Sequence, residues 1–213
     1  MKKKVFVVGN AWNYMNFIED AERADNIKSA DIVIFTGGED VDPSLYGAKK
    51  HPRTYSNIER DIYEQKIFKS IPKGKLVIGI CRGSQFLCVM NGGKLIQHVS
   101  GHALYGTHPI TNRKDGLVLE ITSTHHQMQY PYELDENKYD VIFSAAGISV
   151  NYEGDKLPLT IEHDMNAYGE PEIVLYHVKG NPKCLAIQGH PEMMRMESPV
   201  VKWLNSYINE LIH

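Results

Sequence analysis

The stretch from Leu76 to Met90 constrains the fold more than any other part of this chain. Leu76 to Ile80 is short, apolar and rich in β-branched residues, the texture of a strand buried on both faces. It breaks at Gly79-Ile80-Cys81-Arg82-Gly83 and runs directly into a helical stretch, Arg82 to Met90. That helix should stop at Asn91-Gly92-Gly93, where glycine supplies the positive φ of a C-cap. A strand turning straight into a helix is the building unit of a parallel sheet covered by helices. The preceding sequence repeats the unit. Lys4 to Val8 and Asp31 to Thr36 read as strands, the second ending in Gly37-Gly38. Ser56 to Ser70 reads as a helix with Ile58, Ile62 and Phe68 near one face.

From His108 onward the strands are short and separated by Gly, Pro and Asn: Leu117 to Thr122, Tyr139 to Ser144, Ile173 to Val178 and Lys183 to Gln188. The last two form a hairpin turning at Lys179 to Pro182, so antiparallel strands join the sheet towards its end. Ser198-Pro199 then gives an N-cap and first helical residue, followed by Val200, Trp203, Leu204, Tyr207, Ile208 and Leu211 at helical spacing. No repeat, linker or low-complexity stretch interrupts the 213 residues, and a single α/β domain over 1–213 is expected.

Composition narrows the function. With 42% apolar and 23% charged residues, disordered and coiled-coil readings fail. The 23 Lys and Arg against 26 Asp and Glu leave a net charge of −3 with no basic block, so nucleic acid is not the expected partner. No apolar run approaches the roughly 18 residues of a membrane helix, and Val5 to Val8 is too short for a signal-peptide core; a cytoplasmic location is expected. Cys81, Cys88 and Cys184 are too few and too irregularly spaced for a disulfide framework or a zinc knuckle.

Cys81 stands where a nucleophile elbow places its reactive residue, on a tight strand-to-helix turn above the sheet edge. Flanking glycines leave room for a strained backbone and for a substrate, and the helix N-terminus favours a thiolate. Gln188-Gly189-His190-Pro191-Glu192 supplies the base. In an extended segment residues i and i+2 point the same way, so Glu192 can orient and polarise His190. An oxyanion hole needs two donors, for which the N–H groups of Arg82, after the nucleophile, and of Gly38, in the neighbouring βα loop, are the candidates.

These residues resemble the class I, or triad, glutamine amidotransferase family. The matching motifs are G-I-C-R-G-x-Q at Gly79 to Gln85, Q-x-H-P-E at Gln188 to Glu192 and G-G-x-D-V-x-P-x-x-Y at Gly37 to Tyr46. Within that family they are similar to the γ-glutamyl-γ-aminobutyrate hydrolase branch, also classed as cysteine peptidases. Arg60-Asp61, Gly92-Gly93-Lys94-Leu95 and His125-His126-Gln127 add to the match. The resemblance implies a three-layer α/β sandwich with a flavodoxin-like core, its central sheet mostly parallel with antiparallel strands towards the C-terminal half. It also implies a Cys81, His190 and Glu192 triad, with Gln85, His125, His126 and Gln127 beside a bound γ-glutamyl group. Ser84 and Gly189 depart from the family, at positions expected to line or flank the pocket, and Ser149 to Glu172 does not follow the family pattern.

The implied activity is cleavage of a γ-glutamyl amide through a cysteinyl thioester, with no metal or organic cofactor. Two substrates fit. One is glutamine, its ammonia passing to a separate ATP-dependent synthetase. The other is a γ-glutamyl amine such as γ-glutamyl-γ-aminobutyrate, hydrolysed without a partner. A non-catalytic scaffold of the same fold is the alternative from another class. Other clusters receive blander readings. His125-His126 lacks a nearby Cys or carboxylate to complete a metal site, and Ser100-Gly101 argues against a helix aligning His98 with His102. Asp40 and Asp42 read as a turn, Cys88 and Cys184 as core residues. Arg60, Asp61 and Glu64 fit either substrate contact or a salt-bridged helix start.

Overall fold

The computed structural model describes residues 2–212 and, within them, every side chain but those of 104 and 105. In chain order its elements are β1 (Lys3–Val7), β2 (Ala21–Arg23), β3 (Ile32–Phe35), α1 (Ile58–Ser70), β4 (Leu76–Ile80), α2 (Arg82–Met90), β5 (Lys94–Ile96), β6 (His98–Val99), β7 (Ala103–Asn112), β8 (Val118–Thr124), β9 (Met128–Tyr130), β10 (Tyr139–Ala145), β11 (Tyr152–Glu153), α3 (Ile161–Tyr168), β12 (Glu170–Tyr176), β13 (Lys183–Ile187) and α4 (Pro199–Ile212). Nine strands make one sheet in the order β2-β1-β3-β4-β13-β12-β10-β7-β8. From β2 to β13 every pairing is parallel, and from β13 to β8 every pairing is antiparallel. The remaining strands form two small two-stranded sheets, β11-β6 and β5-β9.

Side-chain alternation divides the central strands between two cores. Ile32, Ile34, Leu76, Ile78, Leu185 and Ile187 face Val200, Leu204 and Ile208 of α4. Val33, Phe35, Val77, Cys184 and Ala186 face Phe68 of α1 and Phe86 to Val89 of α2. Burial on both faces is why these strands read as unbroken apolar runs. Helices therefore cover both faces of the sheet, as a three-layer α/β sandwich requires, and Cys88 and Cys184 are core residues.

One expectation changes, and two features lie outside the sequence reading. The buried face of α1 is not Ile58 and Ile62, which are 40% and 45% exposed, but Asp61, Glu64 and Phe68. A charged face turns inward because Arg82, itself buried, needs both carboxylates. Several short elements lie outside the sequence expectations: β2, β5, β6, β9, β11 and α3 are too brief for periodicity, and β7 begins well before His108. Between β1 and β3 the chain makes only 3₁₀ turns and β2, without a covering helix; Phe17 and Ile18 fill that side of the core with α4.

Candidate active site

The turn from β4 to α2 places Cys81 at φ 53° and ψ −111°. That is uncommon for a residue with a Cβ, and such backbone is held only where surrounding structure over-determines it. Here the Cys81 N–H donates to Ile187 O at 2.8 Å, tying the elbow to the end of β13. Gly79 and Gly83 have a different task from the one the sequence suggests. A Cβ on Gly83 would collide with Phe35 O and one on Gly79 with Gly83 O, so both glycines allow α2 to lie against the sheet backbone rather than making room for a substrate.

Beyond β13 the chain bends at Gln188 and Gly189 and, just before a 3₁₀ turn over Pro191–Met193, reaches His190. Its N–H donates to Thr122 Oγ1 at 2.8 Å, and its Nδ1 lies 2.7 Å from Glu192 Oε1. Glu192 accepts only, so Nδ1 carries the proton and Nε2 is left for Cys81. Both residues flank Gly37: a Cβ there would lie 3.3 Å from His190 Cε1 and 3.6 Å from Cys81 Cβ. Burial pushes the His190 imidazolium down, but hydrogen bonding to Cys81 and Glu192 and their negative charge outweigh it, raising the group to about 10. The same Cβ would come within 2.8 Å of the Tyr14 hydroxyl, a neighbour the sequence does not reveal. Tyr14 comes from the irregular segment after β1, where no periodicity marks it.

Gly38 has φ +130° and Arg82 opens α2; both line the same cleft as Cys81. Arg60 braces the first. Its Nη2 donates to Gly37 O at 2.9 Å and Thr36 Oγ1 at 3.2 Å, its Nη1 to Glu39 at 3.1 Å and its Nε to Glu64 at 2.9 Å. Arg82 points its guanidinium away from the site, into Asp61 and Glu64. Arg60, Asp61 and Glu64 are therefore a salt-bridged support under the glycine loop.

A cleft of about 180 Å³ opens over Cys81, lined by Gly38, Asp40, Tyr55, Gln85, His126 and Gln127 among others. It is small beside the roughly 300–1,000 Å³ of a drug-sized site. Gln85 Nε2 donates to Gln127 O at 3.0 Å, and His125 Nδ1 donates to the same oxygen at 2.9 Å. Burial holds His125 neutral, its pKa lowered to about 4. His126 Nε2 lies 3.1 Å from Asp40 Oδ1, so these residues face one another across the cleft. Ser84 and Gly189 do not line it. Ser84 Oγ donates to Cys81 O at 2.6 Å, and a Cβ at Gly189 would meet Thr122 O and Ile121. A wider hollow of about 650 Å³ beside Trp203 and Tyr207 holds none of the candidate residues.

A model of the family described as Peptidase C26 matches residues 13–150, a stretch containing Gly38, Cys81 and His125 but ending before His190. The chain belongs to the peptidase C26 family. Among curated proteins it is 39% identical over 82 residues to "Putative glutamine amidotransferase Rv2859c" of Mycobacterium tuberculosis, covering 36% of this chain and 27% of that one. It is 28% identical over 123 residues to Protein NtpR of Enterococcus hirae, covering 47% and 52%. The alignments thus span about a quarter to a half of these relatives. Of solved structures, PurLQS from Thermotoga maritima superposes with TM-score 0.58 at 18% identity, covering 99% of this chain and 100% of the other. A protein described as a putative GMP synthase component from Thermoplasma acidophilum gives 0.56 at 14%, covering 100% and 93%. At such identities the likeness is one of fold, that of class I glutamine amidotransferases. Among the described residues no helix is long and apolar enough to cross a membrane.

Proposed function

We propose that this peptidase C26 protein hydrolyses γ-glutamyl amides with Cys81 as nucleophile. The reading is carried by one observation: a cysteine held at positive φ on a strand-to-helix turn, sharing Gly37 with a histidine whose far nitrogen is fixed by Glu192. The Cys81 thiolate attacks the δ-carbonyl carbon and forms the C–S bond, while the carbonyl oxygen takes hydrogen bonds from the N–H groups of Gly38 and Arg82. Collapse breaks the C–N bond as His190 delivers its Nε2 proton to the departing nitrogen. Water, losing a proton to the same nitrogen of His190, then attacks the thioester. The C–S bond breaks, glutamate leaves, and the thiolate and imidazolium are restored. No step calls on a metal or organic cofactor. The small cleft, with Gln85, Asp40, His126 and Gln127 on its walls, suits an amino-acid-sized substrate.

The substrate divides the proposal. With glutamine, ammonia passes to a separate ATP-dependent synthetase; with a γ-glutamyl amine, the chain acts alone. Glutamate release by wild type and Cys81→Ala, each given glutamine and γ-glutamyl-γ-aminobutyrate, tests both. Release from glutamine, lost in the variant, identifies the ammonia donor. Release from the amine derivative alone identifies the independent hydrolase. An inactive wild type, or a variant that keeps its activity, overturns the reading.

A further inference from the structure

A second cluster, which shares His125 with the wall of the cleft, plays no part in the proposed chemistry. One ligand atom each from His102, His108, His125 and Glu172 lies within 4.8 Å of every other, and all four side chains are buried. Glu172 Oε1 is 3.4 Å from His102 Nδ1, 3.5 Å from His108 Nε2 and 3.8 Å from His125 Nε2. Along the chain, His125-His126 has no carboxylate close by to complete a ligand set. The fold supplies one from β12, and it directs His102 and His98, neighbours in sequence, to different places.

Hydrogen bonding at the outer edge of each ring fixes its tautomer. His102 Nε2 lies 2.9 Å from Glu170 Oε2, His108 Nδ1 lies 3.2 Å from Pro109 O, and His125 Nδ1 lies 2.9 Å from Gln127 O. A carboxylate and two carbonyls only accept, so those nitrogens carry the protons, and in the neutral rings that a metal requires the opposite nitrogens present lone pairs inward. Ser123 gives its hydroxyl hydrogen to His102 O, not to Nδ1. His108 Nε2, His125 Nε2 and both oxygens of Glu172 have no hydrogen-bond partner among the described residues. Three imidazole lone pairs and a carboxylate thus converge with nothing between them to donate. Such an arrangement repels itself, and burial of unpaired polar atoms adds to the cost. It is the electrostatic counterpart of a cation, with the outer hydrogen bonds that orient metal-ligating histidines.

We propose that His102, His108, His125 and Glu172 form a closed four-ligand site for a divalent transition metal, Zn²⁺ by donor set. Tetrahedral Zn²⁺ with bonds near 2.0–2.1 Å spaces its ligand atoms about 3.3 Å apart, so the three distances to Glu172 need only slight contraction. Four protein ligands and full burial leave no open position for a water, so the metal is structural. It joins β7, β8 and β12, and through the His125 bond to Gln127 O it fixes the segment on which Gln85 also rests. The site stands independently of whether Cys81 is a nucleophile.

The test uses untagged, full-length protein dialysed against chelator and returned to Zn²⁺ or Co²⁺. Wild type should take up one Zn²⁺ per chain by elemental analysis and gain at least several degrees in Tm. With Co²⁺ it should develop the visible absorption of a tetrahedral ion. Glu172→Gln and His108→Gln, each checked for folding by circular dichroism, should lose the metal; His126→Ala and Cys81→Ala should keep it. The last control separates this site from a Cys81–His190 metal complex, which would also show a near-ultraviolet thiolate-to-cobalt band. Wild type that binds no Zn²⁺ and gives no tetrahedral Co²⁺ spectrum would overturn the proposal, needing no variant. Metal retained in Glu172→Gln or lost in Cys81→Ala would overturn it too.

Discussion

The Arg60 guanidinium fills the space that a Cβ on Gly38 would need. Gly38 also sits at φ +130°, where an L side chain is strained, so this turn of the loop depends on glycine twice over. Gly38→Ala should push the loop off Arg60 and displace one oxyanion donor. Loss of such a donor lowers kcat by about 10²-fold or more. Steady-state glutamate release measures it, and an unchanged kcat would remove Gly38 from the oxyanion hole.

Arg82 bridges Asp61 and Glu64 from within the core. Removing one partner of a buried ionic group leaves uncompensated charge, at a cost of about 3–5 kcal/mol. Arg82→Met should therefore be strongly destabilised in urea titration, while substitution of exposed Ile62 should scarcely matter. Comparable stability of the two variants would contradict the inward role of the charged face of α1.

The His190 imidazolium, raised to about 10, sets a pH dependence. A histidine with its folded pKa above the ordinary value of about 6.5 adds stability that is full below that value and disappears as pH rises towards 10. Activity needing the same proton on the leaving nitrogen should fall along its alkaline limb in that range. Glu192→Gln removes one of the two groups that hold the proton, so its alkaline limb should move towards neutrality. A pH–rate profile of each protein decides this; coincident alkaline limbs would show that Glu192 does not govern His190.

Tyr14 stands beside the catalytic candidates although nothing in the sequence marks it. Burial raises its hydroxyl pKa, and the negative charges of Glu192 and Cys81 push it further up, so it remains a protonated donor near two anions. A hydrogen bond contributes about 0.5–1.5 kcal/mol, so Tyr14→Phe should lower kcat/KM by up to about tenfold. Alkylation of Cys81 by iodoacetamide at several pH values should change in the same variant. An unaltered rate in both assays would make Tyr14 a packing residue.

What can be read along the chain is what neighbours in sequence decide. Leu76 to Met90 forms the expected strand, elbow and helix because apolar burial on both faces, glycine at the turn and a glycine after the C-cap all act within a few residues. The 2.7 Å contact of His190 and Glu192 also joins residues two apart, but through a 3₁₀ turn, Pro191–Met193, and not along the extended segment that the spacing suggests. Expectation and structure part where partners are distant. Ile58 and Ile62 match a helical face, but a helix sheds apolar side chains to solvent when a buried arginine elsewhere demands its carboxylates. Gly79 and Gly83 are legible as necessary, yet their reason lies in the backbone they approach, and Tyr14 reaches the site from a segment with no period at all.

The α/β class, the position of the elbow and the candidacy of Cys81, His190 and Glu192 all follow from local conformation and the chemistry of short motifs, and so are written in the chain itself. The buried face of α1, the purpose of the flanking glycines and the meeting of His102, His108, His125 and Glu172 exist only once the chain is folded. Those four sit on or beside β7, β8 and β12, and strand pairing between residues remote in the chain brings them together. Side-chain convergence of that kind depends on sheet order and register, which no pattern of neighbouring residues encodes.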